Sequence, residues 1–230
     1  MLFRSGRAGR TAPGICYRLY TRDDFENRSL FTMEEIYRTD LSEVVLRMAE
    51  LGITDFERFD FISRPPRAGI TGAMEVLNLL EAFEPDRTLS RIGTLMCAFP
   101  LLPRLSRMIV EAMLKYPDVV EEVIIAAAFL STQSPYVLPP GEELEARRAH
   151  HAFRDPSGDF VSYLKMYKAF VDSRHKAKFC EHSYLDERTL LEIVRIKEQI
   201  ELIVHDLGMT ISSGGAVEDY LCAVSRGLIQ

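Results

Sequence analysis

The sequence predicts a mainly α-helical protein with one short β element near its start, and three observations carry that expectation. From Pro103 onward nearly every segment has helical period. Proline and glycine clusters cut that stretch into pieces of helix length. Only one run, ICYRLY at 15–20, is β-branched, aromatic and alternating as a strand is.

Taken in order, the opening stretch RSGRAGRTAPG sets Arg4, Arg7 and Arg10 three apart between small residues. Glycine lets a backbone pass close to another surface, and arginine grips phosphate in a planar, bidentate fork. The pattern points to one half of a phosphate site. The strand at 15–20 follows. A helix is then expected over 35–51, where Leu41, Val44, Val45, Met48 and Leu51 share one face and Gly52 stands at the C-cap. Pro65 and Pro66 stop any helix there. Thr71 would cap a second helix through residue 84, with Met74, Leu77 and Leu80 inward. Residues 87–91 form a short strand or wing. Five helices follow over 103–115, 118–130, 142–153, 160–171 and 186–207, separated by Pro117, Pro135, Pro139-Pro140-Gly141 and Asp155-Pro156-Ser157-Gly158. Gly208 closes the last of these, and Ser212-Ser213-Gly214-Gly215 reads as a linker before a terminal helix.

Composition narrows the function. The formal net charge of −6 excludes a protein that coats nucleic acid by bulk electrostatics, so such contact must come from a local patch. Two patches stand out, RRAHH at 147–151 and SRHKAKFC at 173–180; either could meet a phosphate backbone, or be a solvated face. Cys16, Cys97, Cys180 and Cys222 are far apart and read as reduced thiols. Cys180, His182 and His175 do not have the spacing of a closed zinc site, so no metal is expected. The longest apolar run, VIIAAAFL at 123–130, is too short to span a bilayer, and no signal peptide is visible. A cytoplasmic protein without membrane contact is expected. No G-x-x-x-x-G-K-[ST] loop and no paired acidic residues after an apolar strand are present, so this chain alone should not hydrolyse ATP.

FRSGRAGRTAPGICYRLY resembles motif VI of the DEAH-box (DEAH/RHA) RNA helicases, Q-R-x-G-R-x-G-R followed by x-x-P-G-x-C-Y-R-L-Y. Further resemblances follow in the family's order. EEIYRTDL at 34–41 is similar to P-E-I-x-R-x-x-L, FDFISRPP at 59–66 to F-x-F-x-x-P-P, and LSRIGTLMCAFPLLP at 89–103 to L-T-x-x-G-x-x-M-A-x-F-P-L-x-P. SGDFVSYLKMY at 157–167 resembles G-D-x-x-x-x-L-x-x-Y, FCEHSYLDERTL resembles W-C-x-x-x-x-L-x-x-R, and RIKEQI at 195–200 resembles I-R-x-Q-L.

This resemblance implies a β remnant of a second RecA-like lobe over 1–22 and a winged-helix domain over 23–92. It implies a helical-bundle ratchet domain over 93–208, and a linker with a terminal helix over 209–230 leading toward an absent OB-fold. Arg7 and Arg10 would be catalytic arginine fingers on a γ-phosphate, worth ~10³–10⁵ in rate, with Arg4, Gly6 and Gly9 around the nucleotide. Phe3 stands where the motif has glutamine and can make no such hydrogen bond. Winged-helix pattern residues such as Ile36, Arg38 and Leu41 are expected to be structural. The ratchet domain would line a single-strand channel, where Thr132, Gln133, Ser134 and Arg195 are the nucleic-acid-binding candidates. ATP with magnesium is the implied cofactor of the parent enzyme, with none held tightly by this chain alone. The implied partners are single-stranded RNA, with DNA left open, the missing RecA-like lobes of the same polypeptide, and a protein activator. A rival reading is a free-standing, non-catalytic winged-helix and helical-bundle module that binds protein or nucleic acid.

Overall fold

The computed structural model describes residues 9, 11–27, 35–37 and 40–229. Eleven helices of five residues or more lie among them, with short 3₁₀ turns and two isolated antiparallel bridges, Phe83 with Leu89 and Tyr136 with Leu185. The mainly helical expectation holds.

The small helix α1 (Arg22–Glu26) is capped by the Thr21 side chain, which accepts from the Asp24 amide. Helix α2 (Ser42–Glu50) begins later than the periodicity predicts, because the Asp40 carboxylate accepts from the Ser42 amide and starts the helix there. Leu41, Val45 and Met48 are buried, whereas Val44 and Leu51 face solvent. Gly52 takes the left-handed conformation (φ +79°) expected of a cap. Helix α3 (Arg67–Leu79) starts directly after Pro66 rather than at Thr71, and ends five residues early. It stops at Glu81, a non-glycine residue at φ +59°; the Glu81 and Ala82 amides close onto the Asn78 and Leu77 carbonyls. The expected strand over 87–91 is reduced to the Phe83–Leu89 bridge, and residue 91 opens helix α4 (Arg91–Cys97), capped by Ser90.

Helix α5 (Pro103–Lys115) has the predicted bounds, with proline in its first turn. Helix α6 (Val120–Leu130) follows a 3₁₀ turn and is buried on every side along 123–129. A helix that is apolar all round belongs at the centre of a bundle. It packs against α5, α8 (Asp159–Asp172), α10 (Glu187–Asp206) and α11 (Val217–Leu228). Two apolar clusters meet on α6. One runs from Leu41 to Val224 and takes Val123, Ile124 and Ala127; the other takes Ile125, Ala128 and Phe129 with Met166, Phe170, Leu190 and Ile193. Helices α7 (Glu143–His151) and α9 (Lys176–Ser183) close the second cluster. The sequence read 173–180 as a basic patch; Cys180 on α9 is nonetheless buried.

Two further expectations change. Residues 13–18 form no strand; Ile15, Tyr17 and Leu19 are 77%, 83% and 98% exposed, because no described segment runs alongside to complete a ladder. The glycine-serine stretch before α11 is docked. The Glu121 amide donates to the Ser212 carbonyl at 3.1 Å and the Gly215 amide to that of Asp118 at 3.0 Å. Helix α11 then buries Tyr220, Ala223, Val224 and Gly227, mainly against α5.

Polar residues lock this arrangement. The Arg107 side chain on α5 is fully buried. It donates to the Leu80 carbonyl at 2.9 Å, to Glu111 at 2.7 Å and to Glu81 at 3.0 Å. Glu81 also pairs with Arg226 of α11 at 2.7 Å, so its left-handed backbone holds α3, α5 and α11 at one point. Burial alone would raise the Glu111 carboxyl, but its bonds to Arg107 and Lys115 hold it below the ordinary carboxylate range. Lys197 of α10 joins Glu121 of α6 and Glu201, each at 2.7 Å.

Candidate nucleic-acid interface

Of the residues that the sequence assigns to chemistry, Arg4, Gly6, Arg7 and Arg10 lie outside the described residues. Gly9 is exposed, and an added Cβ there would meet nothing within 4 Å, so no described neighbour requires a glycine. Thr132, Gln133 and Ser134 follow the C-terminus of α6. Thr132 Oγ1 donates to the Phe129 carbonyl at 3.1 Å, and Ser134 Oγ accepts weakly from the Tyr136 amide at 3.4 Å. Gln133 and Ser134 are exposed. These three residues cluster, but Arg195 is not with them. The Pro135 carbonyl accepts from the Asp186 amide at the start of α10, and Arg195 is exposed nine residues further along, about 13 Å at the helical rise.

The loop after Ser134 runs into a cleft of about 460 Å³ lined by Tyr136, Leu138, Arg147, His150, His151, Arg154, Asp159 and Ser162. Helix α7 supplies Arg147, His150 and His151, the basic patch expected at 147–151. Arg154 lies three residues past the end of α7, in the turn that follows it, and lines the same cleft. Its turn is fixed locally. The Asp155 amide donates to Ser162 Oγ at 3.0 Å, the Ser157 amide donates to Asp155 Oδ1 at 2.8 Å, and Lys165 pairs with Asp155 at 2.6 Å. The Lys165 bond and that backbone bond hold the Asp155 carboxyl below its ordinary range. Gly158, at φ +114°, makes the reversal into α8 that a side chain would strain.

Tyr136 and His150 form the inner wall, ring centroids 4.6 Å apart and tilted by 57°. His150 Nε2 lies 2.9 Å from the Tyr184 carbonyl. A carbonyl only accepts, so Nε2 carries the proton and Nδ1 remains available. Burial, with the charges of Tyr163 and Asp159, raises the Tyr136 phenol above its ordinary value and keeps it a hydrogen-bond donor at neutral pH. No ion pair holds Arg147, Arg148 or Arg154 among the described residues. On a chain of net charge −6, an aromatic-walled cleft with two exposed guanidinium groups held in no ion pair among the described residues is suited to an anion that also has a planar face. The sequence flagged the patch but missed Arg154, which lies in the turn after the helix, and Tyr136, for neither of which there was a local signal.

Among the described residues, no group of three or more His, Cys, Asp or Glu is placed to hold a metal ion. His182 instead lies 2.8 Å from the Lys178 carbonyl, and burial pushes the Cys180 thiol up to about 11. No helix among them is long and apolar enough to cross a membrane.

The segment from α5 to the start of α8 belongs to a known class: residues 102–163 match the helicase associated domain (HA2), ratchet-like. The particular relatives are RNA helicases. Over 227 residues the chain is 44% identical to the ATP-dependent RNA helicase HrpA of Borreliella burgdorferi, covering 98% of this chain and 28% of that protein. It is 32% identical over 202 residues to human probable ATP-dependent RNA helicase DHX35, covering 87% of this chain and 28% of that one. The Haemophilus influenzae HrpA homolog is 33% identical over 223 residues, or 91% of this chain and 17% of that protein. The chain carries a ratchet-like domain of the kind found in DEAH-box helicases, and spans under a third of the length of these curated relatives.

Proposed function

We propose that this chain is the ratchet-bearing portion of an ATP-dependent RNA helicase and forms one wall of the path taken by single-stranded RNA. The observation that carries this reading is the ratchet-like match over 102–163, which contains α5, α6 and α7 and the residues that line the basic cleft. In this division of labour, RecA-like lobes hold ATP and magnesium. Arg7 and Arg10 reach the γ-phosphate as arginine fingers, with Arg4, Gly6 and Gly9 around the nucleotide. Residues 23–92 act as a winged helix; helices α2 to α4 with the Phe83–Leu89 bridge support that. The bundle holds the strand while the lobes step, with Thr132, Gln133, Ser134 and Arg195 along its path. The exposed Ile15, Tyr17 and Leu19 fit a surface that packs on such a lobe. The setting is cytoplasmic.

The purified chain is expected to bind single-stranded RNA with an affinity that falls as salt rises, and to show no RNA-stimulated ATP turnover. Anisotropy titration and a phosphate-release assay read the two halves. An absence of RNA binding at low salt would refute the strand path, and RNA-stimulated turnover by the pure chain would refute the division of labour.

A further inference from the structure

We infer that the cleft between α7 and the start of α8 is a nucleotide-binding subsite for one step of a single-stranded RNA, with Arg147 and Arg154 on successive phosphates and a base against Tyr136. The inference rests on the reading above and adds the residues that grip the strand. Arg147 and Arg154 are both exposed and both line the cleft, and neither is held in an ion pair among the described residues, although Arg147 attracts the Glu143 carboxylate one turn back. Arginine without an ion partner keeps its whole donor fork for phosphate oxygens. His150 turns Nδ1 free by committing Nε2 to Tyr184.

The aromatic wall is what separates a nucleotide from a bare anion. Tyr136 is fixed at its backbone by the Leu185 bridge and at its ring by His150, so stacking a base on it costs little further ordering. Asp159, the one carboxylate lining the cleft, works in the same direction. It repels free phosphate, yet can accept from a base amine or a ribose hydroxyl. Ser162 is occupied within its turn, donating to the Gly158 carbonyl at 2.9 Å and accepting from Asp155, so it contributes shape.

The test is fluorescence anisotropy of a labelled oligouridylate on the whole chain across a salt series. The double variant Arg147→Ala/Arg154→Ala is compared with Arg148→Ala/Arg188→Ala, which removes equal charge from exposed residues outside the cleft. Loss of two phosphate contacts should flatten the slope of log affinity against log salt by about 1.4 and weaken binding at least roughly tenfold, with the second variant far less affected. Tyr136→Leu should weaken binding by ~5- to 150-fold without flattening the slope. A thermal melt accompanies each variant; if Tyr136→Leu does not fold, the arginine pair alone decides. Inorganic phosphate and polyglutamate should displace the oligonucleotide poorly.

Oligonucleotide binding that is indifferent to Arg147→Ala/Arg154→Ala would overturn the cleft and leave the helicase reading standing. Full displacement by inorganic phosphate would make it a site for a free anion, and full displacement by polyglutamate a site for an acidic protein; either overturns the inference. No binding by the unaltered chain would overturn both readings together.

Discussion

Arg107→Met tests the polar lock in the core most sharply. Arg107 is fully enclosed, and its replacement strands two acceptors. The Leu80 carbonyl loses its side-chain donor, and Glu111, 6% exposed at its side chain, keeps only Lys115, which is 58% exposed and well screened. Glu81 retains Arg226 and is half exposed, so it contributes little to the cost. Removing one partner of a buried ion pair costs about 3–5 kcal/mol, a large share of a typical stability of ~5–15 kcal/mol. For a chain of this size that lowers the melting temperature by about 6–20 °C. Arg107→Met/Glu111→Leu removes both charges and should recover much of the loss, because a well-packed apolar pair can replace a buried ion pair at little cost. Urea unfolding followed by circular dichroism reads both variants. A single variant that loses less than about 1 kcal/mol, or a double variant that loses more than the single, would refute the reasoning.

Two other predictions follow from the same packing. Gly227→Ala places a methyl group against the Arg104 carbonyl and Met108 where α11 crosses α5, and should destabilise by ~1–3 kcal/mol in the same assay. Glu81, Glu111 and Glu121 all have carboxyls held below 4.5 by basic partners. Their stabilisation is complete above the unfolded value and is lost as pH falls through the lower folded values, so stability should drop below about pH 4.5. Glu111→Gln should make that acid limb shallower; a limb of unchanged steepness would count against it.

The local elements were legible because their causes are local. The bounds of α5 match the expectation residue for residue, since proline in the first turn and the apolar spacing act within one helix. Gly52 and Gly208 close their helices as read, because a left-handed cap needs only the residue that tolerates it. Where a boundary was misread, a side chain or backbone outside the pattern had decided it. Asp40 starts α2 late, and Glu81 ends α3 early by taking the left-handed conformation without a glycine to announce it. The basic patch at 147–151 was visible as charge, whereas its depth was not, because Tyr136 reaches it through the bridge to Leu185, forty-nine positions away.

The sequence by itself determined the helical class, most of the helix positions and the resemblance to the helicases, since periodicity, caps and ordered motifs are written in consecutive residues. Only the tertiary structure decided that 15–20 is no strand, that α11 is a core helix, and that Arg107 is buried. A strand exists only with a partner. A charge can be enclosed only where distant segments supply its acceptors, as Leu80, Glu81 and Glu111 do for Arg107. The bundle beside them forms because α6, buried on every side along 123–129, leaves water only when α5, α8, α10 and α11 surround it.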